Sequence, residues 1–190
     1  MSDTTYTAVC FEKPGSQNTN ETLRLALERA NELDIQSIVV ASTTGSTGVK
    51  ASRIFQKHNL VIVSHVTGFR EPNAQSLRGE NRELIEKNGG RVVTAAHAFG
   101  SIGRAVNRKF GAIQLDELVA NVLRLFGQGT KVACEIACMA VDAGLIKSGE
   151  LIVSIGGTHE GADTAIVMKP SNTHTFFQTK IQGIICKPSL

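Results

Sequence analysis

The chain has 190 residues, of which 42% are hydrophobic and 19% charged, and its formal net charge is +3. These values indicate one globular domain over residues 1–190. The basic residues form no stripe, and one Tyr with no Trp leaves little for base stacking, so we expect no nucleic-acid partner. No apolar run approaches the roughly 20 residues that cross a bilayer. The polar first residues do not form a signal peptide, so the sequence predicts a cytoplasmic protein without a membrane partner.

The first half of the chain alternates short apolar runs with helical patterns. Strands are predicted at residues 7–11, 37–41, 60–64 and 91–94, the first of them buried. One helix is predicted to begin where Asn18 and Glu21 form a capping pattern. A second helix is predicted from the loop after residue 41 to about residue 58, and a third over residues 82–87.

The second half begins with a mostly helical stretch, predicted from about residue 101 to 146 with breaks near Gly111 and residues 127–129. A fifth strand at residues 151–155 precedes strands at 164–168 and 181–186. Cys134 and Cys138 share a helical face without further close ligands. The cysteines are therefore predicted to be reduced core thiols, and no metal site is expected.

Strands that alternate with helices predict parallel pairing and a three-layer α/β/α sandwich. The link between residues 155 and 164 permits only a hairpin, so the mostly parallel sheet is predicted to have an antiparallel edge, with residues 181–186 as a final edge strand. In such sheets ligands bind beyond the carboxyl ends of the strands. The loops after residues 11, 41, 64, 94 and 155 are therefore expected on one face.

The loop Ser42-Thr43-Thr44-Gly45-Ser46-Thr47 lies between a β-branched strand and a helical pattern. A hydroxyl-rich turn at a helix N-terminus presents N–H groups and the positive end of the helix dipole to an anion. The loop is neither a Walker A sequence nor a dinucleotide-binding glycine pattern. It is either a phosphate-binding loop or a well-capped turn without a ligand, since Ser and Thr are ordinary cap residues.

Two segments resemble the C-terminal domain of pyruvate kinases. Residues 42–47 resemble its phosphate loop, roughly Thr-x-Ser-Gly-Arg-Ser, and residues 143–157 resemble its closing helix, turn and strand. Residues 13–15 and 18–23 are similar to the N-terminal pattern of uncharacterised prokaryotic proteins that consist of this α/β domain alone. The resemblance implies a stand-alone domain and not a pyruvate kinase, because 190 residues leave no room for a catalytic barrel of about 250 residues.

The resemblance to those proteins implies a flavin mononucleotide (FMN) ligand, a phosphate attached to a flat ring. Ser46 replaces the loop arginine of pyruvate kinases, and residues 158–164 replace their aromatic and arginine-bearing effector loop. A second phosphate would therefore lose its cationic clamp, which favours a mono-phosphate on a flat or neutral group.

The predicted cofactor-binding residues are the phosphate loop and the loops around the ring. They are Asn18, Ser42, Thr43, Thr44, Gly45, Ser46, Thr47, Thr67, Gly68, Phe69, His97, Gly156, Gly157, Gly161, Ala162, Asp163 and Thr164. Phe69 is either a ring contact or a cap on the core, and His97 either a ligand-facing donor or a structural residue. Asp163 either accepts hydrogen bonds from the ligand or satisfies its own turn.

No catalytic constellation can be chosen among so many hydroxyl groups. Arg104, Arg108 and Lys109 either supply positive potential to an anion or form a solvated helix face, and the second interpretation is favoured. Two alternative functions remain open: a phosphosugar-sensing regulatory module, and an enzyme, either flavin-dependent or phosphate-transferring, whose turnover would be lost on replacement of a residue such as His97. A homodimer is expected by analogy with pyruvate kinases, whose corresponding domains lie at subunit interfaces.

Overall fold

A seven-stranded sheet lies between two layers of helices in the computed structural model, which describes residues 6–189. The strands are β1 Val9–Phe11, β2 Ser37–Ala41, β3 Asn59–Ser64, β4 Arg91–Thr94, β5 Ile152–Gly156, β6 Thr164–Lys169 and β7 Lys180–Pro188. The α-helices are α1 Thr19–Glu32, α2 Ser46–Ile54, α3 Gly79–Lys87, α4 Ile102–Phe110, α5 Leu115–Arg124 and α6 Gln128–Asp142. Short 3-10 helices occupy Ser16–Asn18 and Thr173–Gln178. Within the described residues, no helix is long and apolar enough to span a bilayer.

The strand order is β1-β7-β6-β5-β2-β3-β4, and β6 is antiparallel to both of its neighbours. The predicted mostly parallel α/β sandwich and the antiparallel hairpin of β5 and β6 are therefore confirmed. The prediction of a final edge strand at residues 181–186 is wrong, because β7 lies between β6 and β1. The edge is β1, which pairs in parallel with β7 and is only partly buried rather than a core strand.

Each face of the sheet carries its own apolar core. Helices α1, α2 and α3 cover one face, where Leu23 and Phe55 pack against Ile38 and Ile62. Helix α6 covers the other face. Helix α2 ends at Ile54, earlier than predicted.

The start of α1 differs from the predicted capping pattern. Asn18 occupies the N-cap position without a side-chain cap hydrogen bond. Its Nδ2 donates instead to the Lys13 carbonyl at 2.7 Å. The Asn18 amide therefore fixes the loop after β1 rather than the end of the helix.

The four thiols divide into one exposed and three buried groups. Cys134, Cys138 and Cys186 are buried as predicted, whereas Cys10 is exposed on β1. Burial raises the pKa of Cys134 and Cys138 to about 12 and that of Cys186 to about 11, so none of the three forms thiolate near neutral pH. We expect Ellman's reagent to modify one thiol rapidly in the native protein and four in denaturant. Fast modification of two or more native thiols would contradict this arrangement.

Candidate functional site

A cleft of about 670 Å³ opens at the carboxyl ends of the parallel strands. Five loops contribute to it, those after β1, β2, β3, β4 and β5, and they are the loops predicted to share one face. The strand order reverses between β2 and β5, where the chain leaves the sheet in opposite directions. Ligand crevices form at such reversals, because two diverging loops leave a gap there.

The hydroxyl-rich loop after β2 is held rigidly against α3. Gly45 has φ +93°, and a Cβ there would lie 2.5 Å from the Asn81 Cβ. Only glycine both adopts this positive φ without strain and leaves room for the Asn81 side chain. The Thr44 carbonyl accepts hydrogen bonds from the Arg78 N–H at 3.2 Å and the Asn81 Nδ2 at 2.9 Å. The loop residues Thr43, Thr44, Ser46 and Thr47 line the cleft.

The loop presents a row of backbone donors at the start of α2. Among the described residues, the N–H groups of Thr44, Gly45, Ser46 and Thr47 have no hydrogen-bond acceptor. The next N–H, that of Gly48, donates to the Ser42 Oγ at 3.0 Å. The Ser42 hydroxyl therefore accepts a hydrogen bond from the first turn of the helix, while the four N–H groups without acceptors lie at the positive end of the α2 dipole, where negative charge is stabilised.

The cleft carries a marked excess of positive charge. Its cationic residues are Lys50, Arg70, Arg78, Arg104, Arg124 and Lys131, against the carboxylates Glu135 and Glu160. Lys131 and Glu135 form a buried ion pair at 2.5 Å, so they cancel each other. The surplus of cations favours an anionic ligand, and the low-dielectric walls of a cleft strengthen that preference.

Three rings form a cluster on one wall of the cleft. The ring centroids of His65, Phe69 and His97 lie 4.6–5.2 Å apart. Phe69 is therefore not a cap on the sheet core, and the guanidinium of Arg104 lies 5.0 Å from its centroid. The interpretation of Arg104 as part of a solvated helix face is wrong, because this side chain turns back over the cluster.

The histidines of the cluster are linked to the neighbouring loops. The Val66 N–H donates to the His97 Nε2 at 3.4 Å. The His65 Nε2 lies 3.4 Å from the Thr43 Oγ1. The His65 Nδ1 is buried without a partner among the described residues.

Burial lowers the pKa of both His65 and His97, and the proximity of His97 adds to the effect on His65. The folded-state pKa values lie below the unfolded value of 6.5, so the unfolded chain takes up more protons as the pH falls. The contribution of His65 and His97 to the free energy of unfolding is therefore fully present above the unfolded pKa and is lost as the pH falls through the folded-state pKa values. We expect the melting temperature to fall between about pH 7.5 and about pH 5.5. A His65→Gln/His97→Gln variant should show a smaller decrease, and an equal decrease would contradict the assignment.

Several predicted ligand-binding residues lie outside the cleft. They are Asn18, Gly45, Thr67, Gly68, Gly156, Ala162, Asp163 and Thr164. Asp163 is fully buried, and its Oδ2 accepts the N–H groups of Gly15 at 3.0 Å and Thr158 at 3.2 Å. Its Oδ1 accepts the Thr164 hydroxyl at 2.9 Å. The buried Asp163 carboxylate thus links the loop after β1 to the loop after β5 by hydrogen bonds.

Gly156 has a packing role of a similar kind. A Cβ at Gly156 would lie 2.3 Å from the Gly129 carbonyl oxygen, so the absent side chain lets α6 approach β5. By contrast, Gly157 and Gly161 line the cleft together with Ser42, Thr43, Thr44, Ser46, Thr47, Phe69 and His97. The hydroxyl-rich loop after β2 and the ring cluster of His65, Phe69 and His97 therefore line the same cleft.

The cofactor-binding residues predicted from the sequence include none of the cationic side chains that line the cleft. Arg70 and Arg78 follow β3, and Arg124 and Lys131 belong to α5 and α6. The spacing of Lys131 and Glu135 indicates an i,i+4 pair, yet exposed pairs have the same spacing. Only the packing of α6 against the sheet shows that this pair is buried.

Comparison with known proteins places the chain in a family. Residues 20–168 match the family described as "Pyruvate kinase, alpha/beta domain". The chain belongs to this family. The match includes β2, the hydroxyl-rich loop, the ring cluster and both strands of the β5–β6 hairpin. The resemblance of residues 42–47 and 143–157 to this domain is therefore confirmed.

Solved structures of pyruvate kinases from Cryptosporidium parvum also match. One shares 15% identity over 82% of this chain and 23% of its own, with a TM-score of 0.40. Another, in complex with ADP, shares 16% identity over 91% of this chain and 24% of its own, with a TM-score of 0.39. The chain spans about a quarter of the length of these enzymes.

Proposed function

We propose that this domain binds a phosphorylated small molecule carrying a flat ring, with FMN as the first candidate. The phosphate would lie against residues 43–47 at the start of α2. The observation that carries the proposal is the row of four backbone N–H groups without acceptors at the start of α2, in a loop whose residues Thr43, Thr44, Ser46 and Thr47 line a cleft with surplus cations. A phosphate dianion at this position would satisfy those donors and interact favourably with the helix dipole.

The ring wall supports the flat part of the ligand. Phe69 and the histidines His65 and His97 line the cleft and offer aromatic faces to a flat ring. The cleft volume falls within the range of about 300–1,000 Å³ that is typical of small-molecule sites. FMN would supply redox chemistry when bound, whereas the residues of this chain would bind and orient it.

Calorimetric titration with FMN and riboflavin tests the proposal directly, because the two compounds share a ring and differ by the phosphate. We expect FMN to bind at least about 100-fold more tightly than riboflavin, which corresponds to about 2.7 kcal/mol. Equal affinities for FMN and riboflavin would show that contacts between the phosphate and the loop do not determine the affinity. The absence of both a heat signal and a thermal shift with the two compounds would exclude a flavin.

A second candidate is a phosphosugar-sensing module, and the cleft contains an observation in its favour. Ser46 removes the loop arginine, but Arg78, Arg104 and Arg124 bring guanidinium groups into the same cleft. These residues of other elements would supply a cationic clamp for a second anionic group. Thermal-shift measurements with sugar mono- and bisphosphates test this candidate. Stabilisation by FMN alone would exclude it.

A further inference from the structure

The buried ion pair of Lys131 and Glu135 belongs to the wall of the cleft that α6 provides. Both residues line the cleft, although both are buried. Replacing a buried ion pair by apolar side chains of similar volume is often neutral or stabilising, because the two charges lose their hydration on burial. Stability alone therefore does not account for an ion pair at this position. Charged groups that are buried beside a cleft are good candidates for a functional role.

The two members of the pair differ in how far their hydrogen bonds are used within the chain. The Glu135 Oε1 accepts the Phe99 N–H at 3.0 Å, and its Oε2 accepts the Lys131 Nζ at 2.5 Å. An ammonium group has several N–H donors, and among the described residues only Glu135 accepts one from Lys131. Glu135 therefore holds the lysine in place, and the ammonium group keeps donors for a further partner.

The pair lies on the side of the cleft that carries the ring cluster. The Lys131 Nζ is 5.9 Å from the centroid of Phe99, which follows β4 in the same loop as His97. Burial lowers the pKa of His97, the Glu135 carboxylate opposes this effect, and the charges of Lys131 and Arg104 add to it. Helix α6 packs on the sheet face opposite to α2, so Lys131 and the phosphate loop reach the cleft from different layers. Lys131 is therefore better placed to meet the ring of a ligand than its phosphate.

We propose that Lys131 determines which rings the cleft accepts: its ammonium group donates to a carbonyl oxygen of the ring, and Glu135 positions it. This inference rests on the proposed function and adds the chemical class of the ring, one whose oxygen can take up negative charge. A cation in a site of low dielectric binds an anionic oxygen more tightly than a neutral one. The flavin ring has carbonyl groups, and its reduced form is anionic in mildly alkaline solution. This chain should therefore bind reduced FMN more tightly than oxidised FMN.

The midpoint potential of bound FMN tests this inference, because it reports the ratio of the affinities for reduced and oxidised FMN. It is measured in mildly alkaline buffer by dithionite titration of the full chain with a reference dye. The variant Lys131→Met/Glu135→Leu removes both charges with little change in volume. We expect the potential in the wild-type protein to be at least about 30 mV more positive than in this variant, which corresponds to an about tenfold change in the affinity ratio.

The matched control is Arg82→Met/Glu86→Leu, because it replaces an exposed ion pair with the same i,i+4 spacing on α3, outside the cleft. It should leave the potential within about 10 mV of the wild-type value, which corresponds to an about twofold change in the affinity ratio. Circular dichroism establishes that both variants are folded. Equal potentials in the wild-type protein and in Lys131→Met/Glu135→Leu would overturn the role of Lys131, while the binding of FMN to both would leave the proposed function intact.

The unmodified protein supplies a second readout that needs no variant, since bound FMN can be compared with free FMN. We expect the potential of bound FMN to be at least about 30 mV more positive than that of free FMN in the same buffer. A potential equal to or below that of free FMN would overturn the inference. A wild-type protein that binds neither redox form of FMN would overturn the proposed function and this inference together.

Discussion

A Ser46→Asp variant is expected to bind FMN at least about 100-fold more weakly than the wild-type protein, with no loss of stability. Ser46 is the first residue of α2, and its exposed side chain lines the cleft beside the unpaired N–H groups. A carboxylate at this position would occupy the donors and repel a phosphate. The same carboxylate interacts favourably with the helix dipole, so the free energy of unfolding should be equal or slightly higher.

A loss of FMN affinity without a loss of stability would distinguish a ligand-binding loop from a turn that only caps the helix. Calorimetry gives the affinity, and urea denaturation gives the free energy of unfolding. Ser101→Asp is the matched control, because Ser101 is an exposed N-cap residue of α4 outside the cleft. It should leave FMN affinity within about twofold. If Ser46→Asp bound FMN as tightly as the wild type, the loop would not be the phosphate site.

A Glu135→Ala variant is expected to lower the free energy of unfolding by about 3–5 kcal/mol. Lys131 and Glu135 are 5% and 6% exposed, and Glu135 also accepts the Phe99 N–H at 3.0 Å. Its removal would leave a buried ammonium group and a buried N–H without partners. Burial lowers the pKa of Lys131, so loss of the opposing carboxylate would favour deprotonation of this side chain.

Two further variants test the source of this effect by urea denaturation. Glu86→Ala removes one partner of the exposed Arg82–Glu86 pair, which has the same i,i+4 spacing, and should cost less than about 1 kcal/mol. The double variant Lys131→Met/Glu135→Leu removes both charges and should recover most of the loss. A Glu135→Ala variant as stable as Glu86→Ala would show that the pair is not buried in solution.

The elements and the shared loop face could be predicted because they depend on local patterns. Apolar runs followed by hydroxyl or glycine turns define β2 and β5, and alternation with helices places their carboxyl ends together. The position of β7 could not be predicted, because its pairing with β1 joins residues near opposite ends of the chain. No local pattern distinguishes an edge strand from one that gains a second neighbour through such a contact.

The candidate site was only partly predictable for the same reason. The loop at residues 42–47 is visible in sequence because its strand, turn and helix are contiguous. Arg78, Arg104 and Arg124 belong to separate elements, and their convergence depends on how α3, α4 and α5 pack around the cleft. Asp163 was predicted as a ligand contact because it is a polar residue in a glycine-bearing loop. In the structure its carboxylate is buried and accepts hydrogen bonds from the loops after β1 and β5.

A crystal structure of the chain grown with FMN tests most directly whether the start of α2 is a phosphate site. The phosphate is predicted within hydrogen-bonding distance, about 3 Å, of the backbone N–H groups of residues 44–47, with the ring against Phe69. Density for FMN at another surface, with these N–H groups bonded only to water, would contradict the claim.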